Sequence, residues 1–217
     1  MHTPILSVDS PTAQQTALAL LHNGGVIVAP TDTVYGVMCL YDKHRAIERL
    51  FEVKGRSLHK AIPVLIGDQI QLSQIAVTPL GPVATLLAER FWPGPLTLVL
   101  PARAELSQSL TAGGATVGVR MPNHDALRNL IRLAGPLAAT SANRSGAPEA
   151  CSAQEALHQL GDLVPLILSD DETIAGPHRP LASTVVDVSG ECPVIVRTGP
   201  IATEVADILA QAGHLPC

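Results

Sequence analysis

Short apolar runs rich in β-branched residues alternate along this chain with longer segments whose apolar residues recur at helical spacing. The first helical segment is clearly bounded, because Ser10 can cap it, Pro11 suits the first helical position and Gly24 follows its end. Alternation of helices and strands is typical of an α/β fold. The predicted strands cover 26–29, 62–66, 96–100, 116–120, 137–140, 165–168, 184–188 and 194–197.

The predicted helices cover 12–22, 42–54 with Asp42 as cap, 80–91, 125–134, 152–160 with Ser152 as cap, and 203–212. The last two strands are predicted to pair as a hairpin, so we expect a mixed sheet rather than an all-parallel one. At about 150 residues per domain, a chain of 217 residues is expected to form a single domain, 1–217. The long irregular segment 169–183 is predicted to be a surface loop and is also a candidate lid.

Charge and targeting signals limit the classes of protein to consider. The chain has 14 Lys and Arg against 19 Asp and Glu, for a net charge of -5, which disfavours a basic nucleic-acid binder but leaves a local basic cleft open. No run approaches the roughly 18 apolar residues of a membrane-spanning helix, and Met1–Pro4 lacks the start of a signal peptide. The cysteines and histidines show no metal-ligand spacing. We therefore expect a cytoplasmic protein with no membrane contact and no metal site of its own.

Polar clusters directly follow several predicted strands, where open α/β sheets usually bind ligands. The segment Pro30–Gly36 is equally compatible with a ligand loop and with an ordinary turn in which Asp32 bonds its own backbone. Two of the three lysines lie in 54–60 together with an arginine, and this density of cations favours phosphate binding over mere complementation of a helix C-terminus.

Three further clusters are weaker signals when taken singly. Arg120 ends an apolar strand, so it is predicted to hold a carboxylate or phosphate, or else to form a structural salt bridge. Thr140–Gly146 offers hydroxyl and amide groups but also suits a loop and helix cap. Ser183–Asp187 with Arg197 is equally compatible with an ordinary hairpin.

The order of these clusters closely resembles the YrdC/TsaC family of threonylcarbamoyl-adenylate synthases, over about residues 24–201. Its double signature, Lys-x-Arg with Ser-x-Asn, is intact at 54–56 and 141–143. The other matching motifs are Pro30–Gly36, Pro93–Thr97, Val119–Pro122, Ser183–Asp187 and Arg197-x-Gly199. The resemblance implies the short form of the family: a single α/β domain whose twisted mixed sheet is flanked by helices and has a large concave cleft.

The resemblance also implies a reaction. L-threonine, bicarbonate and ATP would give threonylcarbamoyl-adenylate and pyrophosphate, with Mg²⁺ arriving on the ATP. A separate tRNA threonylcarbamoyl transferase complex would then modify tRNA, so the chain itself would bind tRNA weakly or not at all.

Site residues follow from the resemblance, position by position. The implied catalytic residues are Lys54, Arg56, Ser141 and Asn143. The implied ATP ligands are Lys54, Arg56, Lys60, Thr116, Asn143 and Arg197. The implied threonine ligands are Thr33, Tyr35, Arg120, Ser141 and Ser183. Asp32 receives no role.

Two other functions stay open from the sequence. One is an RNA-binding module without synthase activity, which the acidic net charge and the low content of aromatic residues, 2%, disfavour. The other is a small-molecule carbamoylation enzyme that uses the same cleft.

Overall fold

A computed structural model describes residues 3–55, 57, 60–170 and 181–213. Its strands are Ile5–Ser7 (β1), Ile27–Ala29 (β2), Gly36–Leu40 (β3), Val64–Leu65 (β4), Leu96–Pro101 (β5), Thr116–Arg120 (β6), Leu137–Ser141 (β7), Ile167–Ser169 (β8), Thr184–Asp187 (β9) and Val194–Arg197 (β10). They form one sheet across the described residues, in the order β1-β8-β2-β3-β7-β4-β6-β5-β9-β10.

Helices connect most of these strands. The α-helices are Pro11–His22 (α1), His44–Lys54 (α2), Pro82–Phe91 (α3), Gln108–Thr111 (α4), Asp125–Ala134 (α5), Ala153–Leu160 (α6) and Ala202–Gln211 (α7), and the 3₁₀ helices are Gln69–Gln74 and Gly161–Leu163. Ser10 accepts a hydrogen bond from the backbone N–H of Ala13, and Ser152 accepts one from that of Glu155, so both predicted serine caps are confirmed.

The sheet is mixed, as predicted. β1 and β2 run parallel to β8, β4 runs parallel to β6, and β5 runs parallel to β9, while the remaining neighbours are antiparallel. The hairpin of β9 and β10 is confirmed. Because most neighbours in the sheet are far apart in sequence, residues from many segments converge on one surface.

The two faces of the sheet are covered to different extents. Helices α2, α3, α4, α6 and α7 pack on one face, against residues such as Leu98, Val119 and Val186. On the other face, α1 and α5 cover the half formed by β8, β2, β3 and β7, where Met38 and Leu137 lie in the core. Side chains alternate between faces along a strand, so Thr97, Gly118 and their neighbours point to the half that α1 and α5 leave uncovered.

Two strands, helix α4, the two 3₁₀ helices and one cap differ from prediction. β1 was not predicted, and β3 was not predicted because its five residues are all buried and show no alternation. Asp42 is wrong as the cap of α2, whose N-cap is Lys43 with no side-chain hydrogen bond. The spacing of the cysteines also gave no sign that Cys192 is disulfide-bonded.

Among the described residues, no helix has the length and apolarity needed to cross a membrane.

Candidate functional site

A cavity of about 840 Å³ lies on the uncovered half of the sheet. Its floor consists of alternate residues of neighbouring strands, among them Thr97 of β5, Gly118 of β6 and Val185 of β9. A Cβ at Gly118 would approach Pro63 Cβ to 3.2 Å and Thr97 Cγ2 to 3.3 Å, so glycine keeps the floor flat there. Ligand binding was predicted in loops at strand ends, and the structure adds the face of the sheet itself.

The charged side chains that line the cavity in the described part of the chain are Lys60, Arg120, Arg197 and Glu149. Three cations against one carboxylate make this region suited to anions, although the whole chain carries a net charge of -5. Lys60 and Arg197 are exposed, whereas Arg120 is buried. The cavity therefore has two kinds of cationic group, one at its solvent-facing edge and one deep in its wall.

Arg120 is held by three oxygen acceptors. Its Nε donates to the carbonyl of Gly94 at 3.0 Å, its Nη1 to Thr33 Oγ1 at 2.8 Å and its Nη2 to Asp32 Oδ1 at 2.5 Å. A guanidinium has five N–H groups, so one on each Nη remains for a ligand. Burial lowers the pKa of Arg120, the carboxylate of Asp32 opposes that shift, and Arg197 adds to it.

The hydroxyl of Thr33 has a fixed direction. Thr31 Oγ1 donates to the carbonyl of Val34 at 2.7 Å, so its single proton is used. Thr33 Oγ1 lies 3.0 Å from Thr31 Oγ1 and must therefore donate there, while it accepts from Arg120. A ligand can meet Thr33 only as a hydrogen-bond donor to its oxygen.

Two glycines permit the close approaches on which the cavity wall depends. A Cβ at Gly94 would come within 2.4 Å of the carbonyl oxygen of Phe91, so only glycine fits at this position, where its carbonyl accepts from Arg120. A Cβ at Gly199 would come within 2.3 Å of the backbone nitrogen of Thr184, so only glycine lets this segment lie against the start of β9. These contacts account for the Pro93–Thr97 and Arg197-x-Gly199 motifs.

A second cation, Lys54 at the end of α2, contacts the loop after β7. Its Nζ lies 2.6 Å from the carbonyl oxygen of Ser141, 3.2 Å from Ser141 Oγ, 3.0 Å from the carbonyl oxygen of Asn143 and 2.7 Å from Asn143 Oδ1. An ammonium group has three donors, and four protein oxygens surround this one. In return, the backbone N–H of Ser145 donates to the carbonyl of Lys54 at 2.9 Å.

Asn143 uses its whole side chain within the same loop. Its Oδ1 accepts from Lys54 and from Ser141 Oγ, and its Nδ2 donates to the carbonyls of Arg144 and Ala147. These contacts fill both donors and both acceptor positions of the amide. Of Lys54, Ser141 and Asn143, which contact one another, Ser141 is the one that also lines the cavity.

The predicted site residues therefore fall into two groups. Those that line the cavity are Thr33, Tyr35, Lys60, Arg120, Ser141, Ser183 and Arg197. Lys54 and Asn143 are only 4% and 5% exposed and do not line it, so their implied role as ATP ligands stays a prediction. Thr116 does not line the cavity either. It lies four residues before Arg120 on β6, and at about 3.3 Å per residue that places it far from Arg120 along the strand. Arg56 and segment 171–180 of the candidate lid lie outside the described residues.

The rim near β9 and β10 is organised by Ser183. Arg197 donates from Nε to the carbonyl of Ser183 at 2.9 Å and from Nη2 to its Oγ at 3.0 Å, and Thr97 Oγ1 lies 2.8 Å from the same Oγ. Partial burial lowers the pKa of Arg197, and Glu149 opposes that shift. On the opposite side, Tyr35 Oη accepts from the backbone N–H of Asp170 at 3.2 Å.

Three polar residues in or beside the cavity were not assigned to the site from the sequence. Thr97 lies in the Pro93–Thr97 motif, and its position between buried Leu96 and Leu98 indicates that it faces away from the core. Asp32 has a partner 88 residues away, which no local pattern reveals. Glu149 follows no strand, so no feature of the sequence marked it.

Comparisons with known proteins agree with this arrangement. The Sua5/YciO/YrdC family model, described as "Telomere recombination", matches residues 19–199. The threonylcarbamoyl-AMP synthase of Bacillus subtilis (strain 168) is 38% identical over 98% of this chain and 60% of its own length. That of Thiobacillus denitrificans is 36% identical over 82% of this chain and 92% of its own length.

Among solved structures, the crystal structure of P. abyssi Sua5 complexed with L-threonine is similar, with a TM-score of 0.89 and 34% identity. That similarity covers 99% of this chain and 62% of the Sua5 chain. The chain thus spans less than two thirds of the Bacillus and Pyrococcus proteins that it matches.

Proposed function

The chain belongs to the Sua5/YciO/YrdC family, and from that premise we propose that it is a threonylcarbamoyl-AMP synthase. The amino nitrogen of L-threonine combines with bicarbonate to give a carbamate and water. A carbamate oxygen then attacks the α-phosphorus of ATP, the bond to the bridging oxygen of the β-phosphate breaks, and pyrophosphate leaves. The observation that carries this proposal is Arg120, a buried, fully oriented guanidinium in the cavity wall with two N–H groups left for an anion.

The threonine end of the reaction is assigned to the wall around Arg120. The two remaining N–H groups suit a bidentate grip on the α-carboxylate. Thr33, Ser141 and Ser183 place hydroxyl oxygens around the same space. Since Thr33 can only accept, it is suited to a substrate hydroxyl that donates. The L-threonine complex of P. abyssi Sua5 supports this choice of substrate.

The ATP end is assigned to the exposed edge. Lys60 and Arg197 suit the phosphates, and Arg56 is proposed as a further phosphate ligand. Lys54 and Asn143 contribute by holding Ser141 in place at the end of β7. The reaction needs the protein to bring two anions, the carbamate and ATP, together and to neutralise the charge that develops at phosphorus. It needs no covalent bond to the protein.

Mg²⁺ is proposed to arrive with ATP. Among the described residues, no group of three His, Cys, Asp or Glu side chains could hold a metal, and Glu149 is the one carboxylate lining the cavity. This donor set fits a cation held mainly by phosphate oxygens and water. When bound, Mg²⁺ would neutralise phosphate charge.

The product is proposed to pass to a separate tRNA threonylcarbamoyl transferase complex, and the protein to be cytoplasmic. Under this proposal the chain needs no strong tRNA site. Binding of tRNA should be weak and lost at moderate salt, because few phosphates can be neutralised. Tight, salt-resistant tRNA binding without adenylate formation would favour an RNA-binding module instead.

The direct test is to incubate the protein with ATP, Mg²⁺, bicarbonate and labelled amino acid, and to measure adenylate and pyrophosphate. Threonine should react, serine should react roughly ten- to two-hundred-fold more slowly, and valine should be rejected more strongly because it leaves hydroxyl partners unpaired. Omitting bicarbonate is the control. Equal use of valine and threonine, or no adenylate at all, would contradict the proposal.

A further inference from the structure

One acidic side chain contacts the cavity only through another residue. Asp32, in the loop between β2 and β3, accepts a hydrogen bond from Arg120 Nη2, and the side chains of Asp32 and Arg120 are 13% and 7% exposed. Arg120 lines the cavity and Asp32 does not. The hydrogen bond to Arg120 is therefore the contact that links Asp32 to the cavity.

We propose that Asp32 is a positioning residue for the substrate-binding arginine, an inference that rests on the proposed function. Of the three acceptors around Arg120, the carbonyl of Gly94 and the hydroxyl of Thr33 are neutral. Only in the bond to Asp32 are both partners ionised, so this contact is also a salt bridge. Asp32 thus fixes the rotation of the guanidinium plane and leaves the same two N–H groups toward the cavity.

The pair also bears on the charge of the site. Burial favours the neutral form of an arginine, and the carboxylate of Asp32 acts against that effect. Arg197 acts in the same direction as burial. Asp32 therefore orients Arg120 and offsets part of the cost of burying its charge.

Truncating Asp32 tests the role through the kinetics of adenylate formation. Asp32→Ala should raise the KM for L-threonine about ten-fold, the loss expected for one hydrogen bond to a charged group, and leave the KM for ATP within about two-fold. Asp32→Asn retains an oxygen acceptor for Arg120, so its KM for threonine should stay within about three-fold of wild type. Asp187→Ala is the matched control, since Asp187 accepts hydrogen bonds from Ser189 instead.

A double-mutant cycle separates positioning from direct contact. In an Arg120→Ala background, Asp32→Ala should cause no further rise in the KM for threonine, because the residue through which it acts is gone. Urea unfolding checks that each variant is folded. If Asp32→Ala does not fold, Asp32→Ser is used in its place, because it also removes the carboxylate that contacts Arg120.

The outcomes are distinguishable. If wild type forms adenylate and neither Asp32→Ala nor Asp32→Ser changes the KM for threonine, the positioning role is overturned while the proposed function stands. An additive effect in the Arg120→Ala background also overturns it. If wild type forms no adenylate, the proposed function fails, and the inference that rests on it fails too.

Discussion

Lys54 and Arg120 are buried to nearly the same extent, at 4% and 6% exposure, yet their donors are used differently. Lys54 has four protein oxygens around its three donors, whereas Arg120 uses three of its five. Lys54 lies beneath the loop after β7, and Arg120 lies in the cavity wall. Burial alone therefore does not indicate whether a cation has N–H donors left for a ligand.

This difference has a physical basis in the two side chains. An ammonium group is a compact point charge whose donors can turn toward any nearby carbonyl, so a loop can surround it completely. A guanidinium is planar, and neighbours that fix one edge leave another edge in a defined direction. The variants below are ordered from the largest expected effect on the reaction to the smallest.

The largest effect is expected at Arg120. Arg120→Ala removes two charge-assisted hydrogen bonds to the carboxylate, each contributing roughly 1.5–3 kcal/mol, so the KM for L-threonine should rise by about 100-fold or more. The KM for ATP should change by less than about three-fold, since no phosphate contact is assigned to this residue. Steady-state kinetics with each substrate varied in turn gives both values.

Arg120→Lys sharpens that result. It keeps the charge but loses the planar fork, so it should recover only part of the affinity for threonine. An unchanged requirement for threonine in Arg120→Ala would remove this residue from the pocket.

An intermediate effect is expected at Lys54. Lys54→Ala leaves the oxygens of Ser141 and Asn143 without their cation, which should lower the free energy of unfolding by about 2 kcal/mol. Turnover should fall by about ten- to a hundred-fold because Ser141 is displaced, without selective loss of ATP affinity. Urea unfolding and kinetics measure the two effects. The control is Lys43→Ala, an exposed lysine at the other end of α2.

If Lys54→Ala folded as stably as wild type and lost only ATP affinity, Lys54 would be a direct phosphate ligand. That outcome would break the contrast between the two cations.

The smallest effect is expected at Thr97. Thr97→Val preserves shape and removes one neutral hydrogen bond to Ser183, worth about 1 kcal/mol, so kcat/KM should fall by about five-fold. Arg197 still contacts Ser183 in this variant, which limits the loss. A fall of a hundred-fold would mean that Thr97 contacts the substrate itself.

The sequence left two roles open for Arg120, which were binding of an anion and a structural salt bridge. The structure shows a salt bridge to Asp32 by a residue that also lines the cavity. The Lys-x-Arg and Ser-x-Asn signature came from the resemblance, and the structure shows that Lys54 contacts Ser141 and Asn143 directly.

What the sequence could not predict is how donors are shared between distant segments. The pairing of Asp32 with Arg120 spans 88 residues, and the contact of Thr97 with Ser183 spans 86. Both depend on which strands are neighbours, and that order is not the order of the chain. Of the seven α-helices in the described part of the chain, all but α4 were predicted, and the caps Ser10 and Ser152 were correct because capping is a local interaction.

The contrast between the two cations is tested most directly by a crystal structure of the protein with L-threonine and a non-hydrolysable ATP analogue. The account predicts the threonine carboxylate within about 3.2 Å of both Nη atoms of Arg120. It also predicts that Lys54 Nζ keeps its contacts with Ser141 and Asn143. A structure in which Lys54 leaves that loop to bind a phosphate, or in which the carboxylate lies away from Arg120, would contradict it.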